Sequence, residues 1–160
     1  MAANNWLREA VMAVSAAQSL RDYLAVQGSQ DVDEVLRHLT DDAVFDVGRG
    51  RYEGAEVRGF FERLRSVRSE SRLLEVRDVD DARAVAVFEQ RDDDLAPLGI
   101  DAIRLDVEVE VAPDGRIRRF TARPTPESIA ALAAARDAGR SSEGTRLAER
   151  AGTLPPAPPS

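Results

Sequence analysis

Residues 100–112 read Ile-Asp-Ala-Ile-Arg-Leu-Asp-Val-Glu-Val-Glu-Val-Ala. Ile103, Leu105, Val107, Val109 and Val111 alternate with Arg104, Asp106, Glu108 and Glu110. This period of two predicts a strand with an apolar row toward a core and a charged row toward solvent or a polar partner. The same period runs through residues 73–78, 83–91 and 116–123. Between them stand Asp80-Asp81, Asp92-Asp93-Asp94 with Pro97 and Gly99, and Pro113-Asp114-Gly115, all of them turn formers. Three hairpin connections between strands of this length predict one curved antiparallel sheet.

Before the sheet the period is helical. Leu7, Val11, Val14, Ala17, Leu20 and Leu24 predict one long helix over residues 6–26, ended near Gly28. Asp31 has N-cap chemistry for a short second helix with Val32, Val35, Leu36 and Leu39 on one face, which Asp41-Asp42 is expected to break. Residues 43–47 alternate as a short strand, residues 48–54 read as a turn, and Val57, Phe60, Phe61 and Leu64 stripe a third helix. Three helices ahead of a strand meander give an α+β class. After the sheet, Thr125-Pro126-Glu127 supplies a cap, a first-turn proline and an acidic first turn for an alanine-rich helix to about Ala138. A linker at residues 139–144 and a further short helix over residues 143–151 are expected next. The expected organisation is therefore one domain over residues 1–125, a helical extension over residues 126–151 and a proline-rich, disordered tail over residues 152–160.

Composition narrows the function. The 160 residues carry 29 acidic and 22 basic side chains, a net charge of -7, which opposes the field that nucleic acid or an anionic membrane requires. There is no cysteine, so disulfides, thiolate metal sites and a thiol nucleophile are excluded. His38 is the only histidine, which excludes a multi-histidine metal cage, and every basic residue is arginine, which excludes lysine Schiff-base chemistry. Arg8 and Glu9 interrupt the apolar N-terminal stretch, which reads as an amphipathic helix and not a signal peptide. No run reaches membrane-spanning length, so a soluble, cytoplasmic protein is expected.

Three passages in order resemble the nuclear-transport-factor-2-like superfamily, and within it the bacterial SnoaL-like branch. They are Leu39-Thr40-Asp41-Asp42-Ala43-Val44-Phe45, then Tyr52-Glu53-Gly54 with Val57 and Phe60-Phe61, then Asp114-Gly115-Arg116-Ile117 with Phe120. The resemblance covers roughly residues 15–125. It implies a cone of curved sheet closed by helices around an apolar pocket, with homodimers formed through the outer sheet face. It leaves the reaction open, because the superfamily holds isomerases, dehydratases, epoxide hydrolases, polyketide cyclases and non-catalytic proteins.

Position by position, the epoxide-hydrolase catalysts of that superfamily fall on Phe45, Val47, Phe88, Gln90 and Ala122, and none supplies acid–base chemistry. The SnoaL-like cyclases place an acidic residue just past the last-strand aromatic, where this chain has Thr121, Ala122 and Arg123 after Phe120. The steroid-isomerase pattern fits better. Tyr23 stands in the place of its first-helix tyrosine, and Asp46 and Asp106 each lie one residue from its two carboxylate positions. One residue along a strand reverses the face, so both carboxylates point outward unless a bulge intervenes. Tyr23, Asp46 and Asp106 are the candidate catalytic residues. Phe45, Val47, Phe60, Phe88, Gln90, Asp101, Val107 and Phe120 are the candidate pocket residues, mostly apolar with few polar groups. His38 reads as a surface histidine, and the Asp92-Asp93-Asp94 run as a solvated turn and not a metal site. No metal or cofactor is expected. Two functions remain: a cofactor-independent cyclase, isomerase or dehydratase acting on a hydrophobic polyketide- or terpenoid-like intermediate of bacterial secondary metabolism, or a binding module holding an apolar small molecule or protein partner.

Overall fold

The computed structural model of the chain describes residues 14–29 and 31–153, with side chains as far as residue 139. Helix α1 (Ala16–Gln27) and helix α2 (Val32–Arg37) precede strand β1 (Leu39–Asp46). The short strand β2 (Arg51–Glu53) and helix α3 (Ala55–Ser66) follow. The meander consists of β3 (Glu70–Asp78), β4 (Arg83–Arg91), β5 (Ile103–Val111) and β6 (Ile117–Pro124), and helix α4 (Pro126–Thr153) closes the order. The six strands form one sheet in the order β2-β1-β6-β5-β4-β3. The meander pairs antiparallel as the alternation predicts, while β1 joins β6 in parallel. Register shifts at Leu73/Glu75 and at Glu110/Val111 insert extra residues, which bend the strands and curve the sheet around the helices.

Alternation decides the two faces. Ala84, Ala86 and Phe88 of β4, Val107, Val109 and Val111 of β5, and Ile117, Phe120 and Ala122 of β6 are buried against α1 and α3. Helix α1 contributes Ala16, Ala17, Leu20 and Tyr23 to that core. It begins where Ser15 Oγ accepts from the Gln18 N–H and the Asp78 carboxylate accepts from the Ala17 N–H at 2.9 Å. The expected single helix from residue 6 is corrected at this point: Val14 and Ser15 are not helical, and residues 1–13 lie outside the described residues. Asp31 caps α2 as expected, its carboxylate accepting from the Asp33 and Glu34 N–H groups.

Three further readings change. Asp41-Asp42 does not separate α2 from the strand, because β1 starts at Leu39 and runs through both exposed aspartates. The stretch over residues 48–54 contains β2, which pairs with β1 through Val44/Glu53, Phe45/Tyr52 and Asp46/Arg51. Helix α4 continues through residues 139–144, where a linker was expected. Gly139 and Gly144 each cost about 1 kcal/mol relative to alanine, too little to stop a helix of otherwise good formers. The tail from residue 154 lies outside the described residues. No helix among the described residues is long and apolar enough to cross a membrane.

Helix α4 is anchored by its first turns. Leu132 packs with Leu95 and Ile103 in a second small core. Ser128 Oγ accepts from the Arg104 N–H at 2.8 Å and from the Thr125 hydroxyl at 3.0 Å. Thr125 and Ser128 are both buried, so Ser128→Ala strands the Arg104 N–H without a partner. The expected cost is about 1–2 kcal/mol, read as a lower urea midpoint at unchanged slope.

Candidate functional site

Every phenylalanine and tyrosine of the chain belongs to one connected network of ring contacts. Phe45 on β1 lies directly beside Phe120 on β6 in the parallel register, and their rings stack at 4.9 Å between centroids and 14° between planes. Tyr23, from the inner face of α1, meets Phe120 at 5.8 Å, Phe61 at 6.1 Å and Phe45 at 6.2 Å. Phe88 reaches Phe120 from β4 at 6.0 Å. At the rim Tyr52 stacks on Phe60 at 4.8 Å, and Phe60 in turn contacts Phe45 and Phe61. Phe45 is fully buried, and Tyr23, Phe88, Phe61 and Phe120 nearly so, whereas Tyr52 and Phe60 are half-buried.

Five of the candidate residues therefore converge: Tyr23, Phe45, Phe88, Val107 and Phe120 share the inner face, with Phe60 at its edge. Val47 packs half-buried against the same core. The rings contact one another here. A void of about 20 Å³ between α1, α2 and α3, bordered by Gln27, Val35, Phe61 and Ser69, has room for one water. Two larger hollows, of about 560 and 600 Å³, are open and lie elsewhere: one beside Leu36, Arg37 and Arg116, the other on the outer sheet face around Val85, Val87, Asp106 and Arg123.

The two carboxylates do not join Tyr23. Pairing is continuous through Asp46 in the β1/β2 ladder and through Asp106 in the β4/β5 ladder, so no bulge turns either side chain inward. Asp46 faces outward, its Oδ1 2.9 Å from Arg123 Nη2, and its carbonyl accepts from Arg123 Nη1 at 3.1 Å. Asp106 is exposed on the same outer face, opposite Val87 and Arg123. The expectation of an inward acid–base pair is corrected accordingly. Among the described residues no carboxylate is buried.

The other polar candidates bond or stand outside the ring network. Gln90 donates from Nε2 to Asp92 Oδ2 at 3.0 Å, which ties its amide to the β4–β5 loop. Asp101 is exposed ahead of β5, and His38 caps α2 half-buried. The aspartate run is held one residue at a time. Asp92 accepts from the Asp94 and Leu95 N–H groups, Asp93 takes a two-pronged contact from Arg68, and Asp94 pairs with Arg63.

That leaves Tyr23. Its ring is buried, and burial pushes its hydroxyl pKa far above the ordinary tyrosine value. It is a neutral donor and cannot act as a base near pH 7. Phe61 and Tyr52 are the ring-cluster members missing from the sequence-derived site. Phe61 was visible in the α3 stripe, whereas Tyr52 was marked only as part of the passage leading into that helix and not as a pocket residue.

No family model matches the chain, and no curated protein matches it in sequence. Solved structures do. The match to SalBIII, an epoxide hydrolase/cyclase-like enzyme of pyran ring formation in the polyether salinomycin, has a TM-score of 0.62 at 17% identity over 71% of this chain and 92% of that one. An NTF2-like protein of unknown function from Cytophaga hutchinsonii matches at TM-score 0.57 and 9% identity, over 72% of this chain and 95% of that one. The chain has the nuclear-transport-factor-2-like fold. A polyketide cyclase candidate from Sinorhizobium meliloti shares the fold too, at TM-score 0.56 and 18% identity over 66% of this chain and 93% of that one. Identities this low carry the nuclear-transport-factor-2-like architecture and not a reaction.

Proposed function

We propose that this chain encloses a hydrophobic, polyketide- or terpenoid-like intermediate and promotes its cyclisation or isomerisation without a cofactor, by holding it in a folded conformation and donating one hydrogen bond from Tyr23. The observation that carries this reading is the Tyr23 hydroxyl, the one polar side-chain atom in the buried part of the ring network. A hydrogen bond from it to a carbonyl or hydroxyl oxygen of a ligand adds about 0.5–1.5 kcal/mol. Aromatic walls supply binding and shape, and fixing a flexible intermediate in a reactive geometry is itself a source of rate. The likeness to SalBIII and to a polyketide cyclase candidate supports a ring-forming reaction.

A second reading, binding without turnover, is favoured by the absence of any buried carboxylate among the described residues. In both readings Asp46 and Asp106 are bystanders. The double variant Asp46→Asn, Asp106→Asn is expected to keep the affinity for 1-naphthol, measured by its fluorescence, and any turnover of an identified substrate within about twofold. Loss of turnover in a folded double variant would return the acid–base mechanism. Absence of 1-naphthol binding by the native chain would remove the interior as a ligand site.

The outer sheet face also fits a homodimer. Val85 and Val87 lie among Arg104, Asp106, Glu108, Arg119 and Arg123, so this face mixes both signs while the chain as a whole carries -7. Two copies meeting there avoid the self-repulsion of the remaining surface.

A further inference from the structure

An interior ligand needs space that rings now occupy, and one of those rings is held so that it can leave. We infer that residues 48–54 form a hinged plug, with the Tyr52 ring standing where a planar aromatic ring of the ligand stacks on Phe60. This rests on the interior-binding reading above and names the ligand class for that site.

Four observations converge on this segment. Tyr52 stacks on Phe60 at 4.8 Å and 25°, the offset geometry an aromatic guest adopts, and both rings are half-buried while Phe45 behind them is sealed. Strand β2, which carries Tyr52, is three residues long at the edge of the sheet and pairs only with β1. Gly48 and Gly54 bracket the segment at φ 83° and 54°, conformations that glycine enters freely and that suit hinges. A Cβ built on Gly50 stands 3.1 Å from the Tyr52 hydroxyl oxygen and 3.2 Å from its ring, so the ring folds back over this position and must give by a few tenths of an ångström to admit a side chain there.

The segment's own ion pair, Arg51 with Glu53, is exposed and does not tie it to the body. Lifting Tyr52 uncovers the face of Phe60, and Phe60 leads inward to Phe45 at 5.7 Å and Phe61 at 5.2 Å. A flat ring replaces the lost stacking contact, and a puckered ring replaces less of it. The exchange of one ring for another requires no pre-existing cavity.

Fluorescence titration of the full chain with 1-naphthol, and competition by cyclohexanol, test the plug. Tyr52→Ala is expected to bind 1-naphthol about tenfold more tightly than the native chain, with a much smaller gain for cyclohexanol. Tyr52→Phe, which keeps the plug, is expected to match the native affinity. Gly50→Ala, which displaces the ring without removing it, is expected to shift affinity in the same direction as Tyr52→Ala. Unchanged or weaker 1-naphthol binding by both Tyr52→Ala and Gly50→Ala, with the native chain still binding, overturns the plug and leaves the interior site standing. An equal gain for cyclohexanol overturns the planar-ring class. Binding by neither native nor variant chain removes the interior site, and the plug with it.

Discussion

Phe45→Ala is expected to destabilise the fold by about 3–5 kcal/mol, the largest loss from any single ring. Phe45 is fully buried and contacts Tyr23, Phe60, Phe61 and Phe120. Its removal opens a hole where α1, α3, β1 and β6 meet, and these elements cannot all collapse into it. The backbone resists as well, because Phe45 is fixed opposite Phe120 by the parallel pairing and opposite Tyr52 by the antiparallel one. Urea unfolding measures the loss as a drop in midpoint at constant slope. Phe45→Leu keeps most of the volume and is expected to cost well under half as much. A cost below about 1.5 kcal/mol for the alanine variant is incompatible with a ring-packed interior, since it means that neighbours already have slack to fill the space.

The packing behind this expectation was only partly legible in the sequence. The meander was plain, because a strand with one wet face must alternate, and β4 and β5 do so without interruption while β6 does so from Phe120 onward. Burial of Phe45, Phe88, Val107 and Phe120 on one face follows from that parity. Strand β2 was not legible. Arg51-Tyr52-Glu53 is too short to show a period, and it is a strand only because β1 offers an edge to pair with. Asp41-Asp42 misled for a related reason: aspartate disfavours strands locally, yet both residues point to water and β1 gains its stability from β6. Gly139 and Gly144 misled in the opposite direction, as weak breakers within an otherwise helix-forming sequence. The carboxylates turned on one unknown, the position of bulges. Irregularities exist in this sheet, at Leu39/Val44, Leu73/Glu75 and Glu110/Val111, but pairing is regular from Val44 through Asp46 and on both sides of Asp106, and no residue pattern distinguishes those places. Strict parity therefore holds at both aspartates, and the interior is left with a tyrosine as its polar group.

Tyr23→Phe separates the two roles of that tyrosine, because stability and ligand affinity should move in opposite directions. Removing the buried hydroxyl relieves its desolvation, so the variant is expected to be more stable by about 1 kcal/mol at neutral pH. The difference grows in alkali. Tyrosine ordinarily ionises near 10.0, and burial raises the folded-state value. Above about pH 10 the unfolded chain releases this proton while the folded chain holds it, so the unfolded state binds fewer protons and native stability falls. The slope approaches about 1.4 kcal/mol per pH unit and is absent from Tyr23→Phe. Equal alkaline profiles for the two proteins would mean that the hydroxyl reaches water in the native state. Affinity tests the other half. 1-Naphthol presents an oxygen to the hydroxyl and naphthalene does not, so Tyr23→Phe is expected to weaken the first by about tenfold and leave the second unchanged. A stabilised variant that loses affinity for the oxygenated ring alone identifies a group kept at a cost to folding because a ligand satisfies it, which a tyrosine serving only as core filler cannot reproduce.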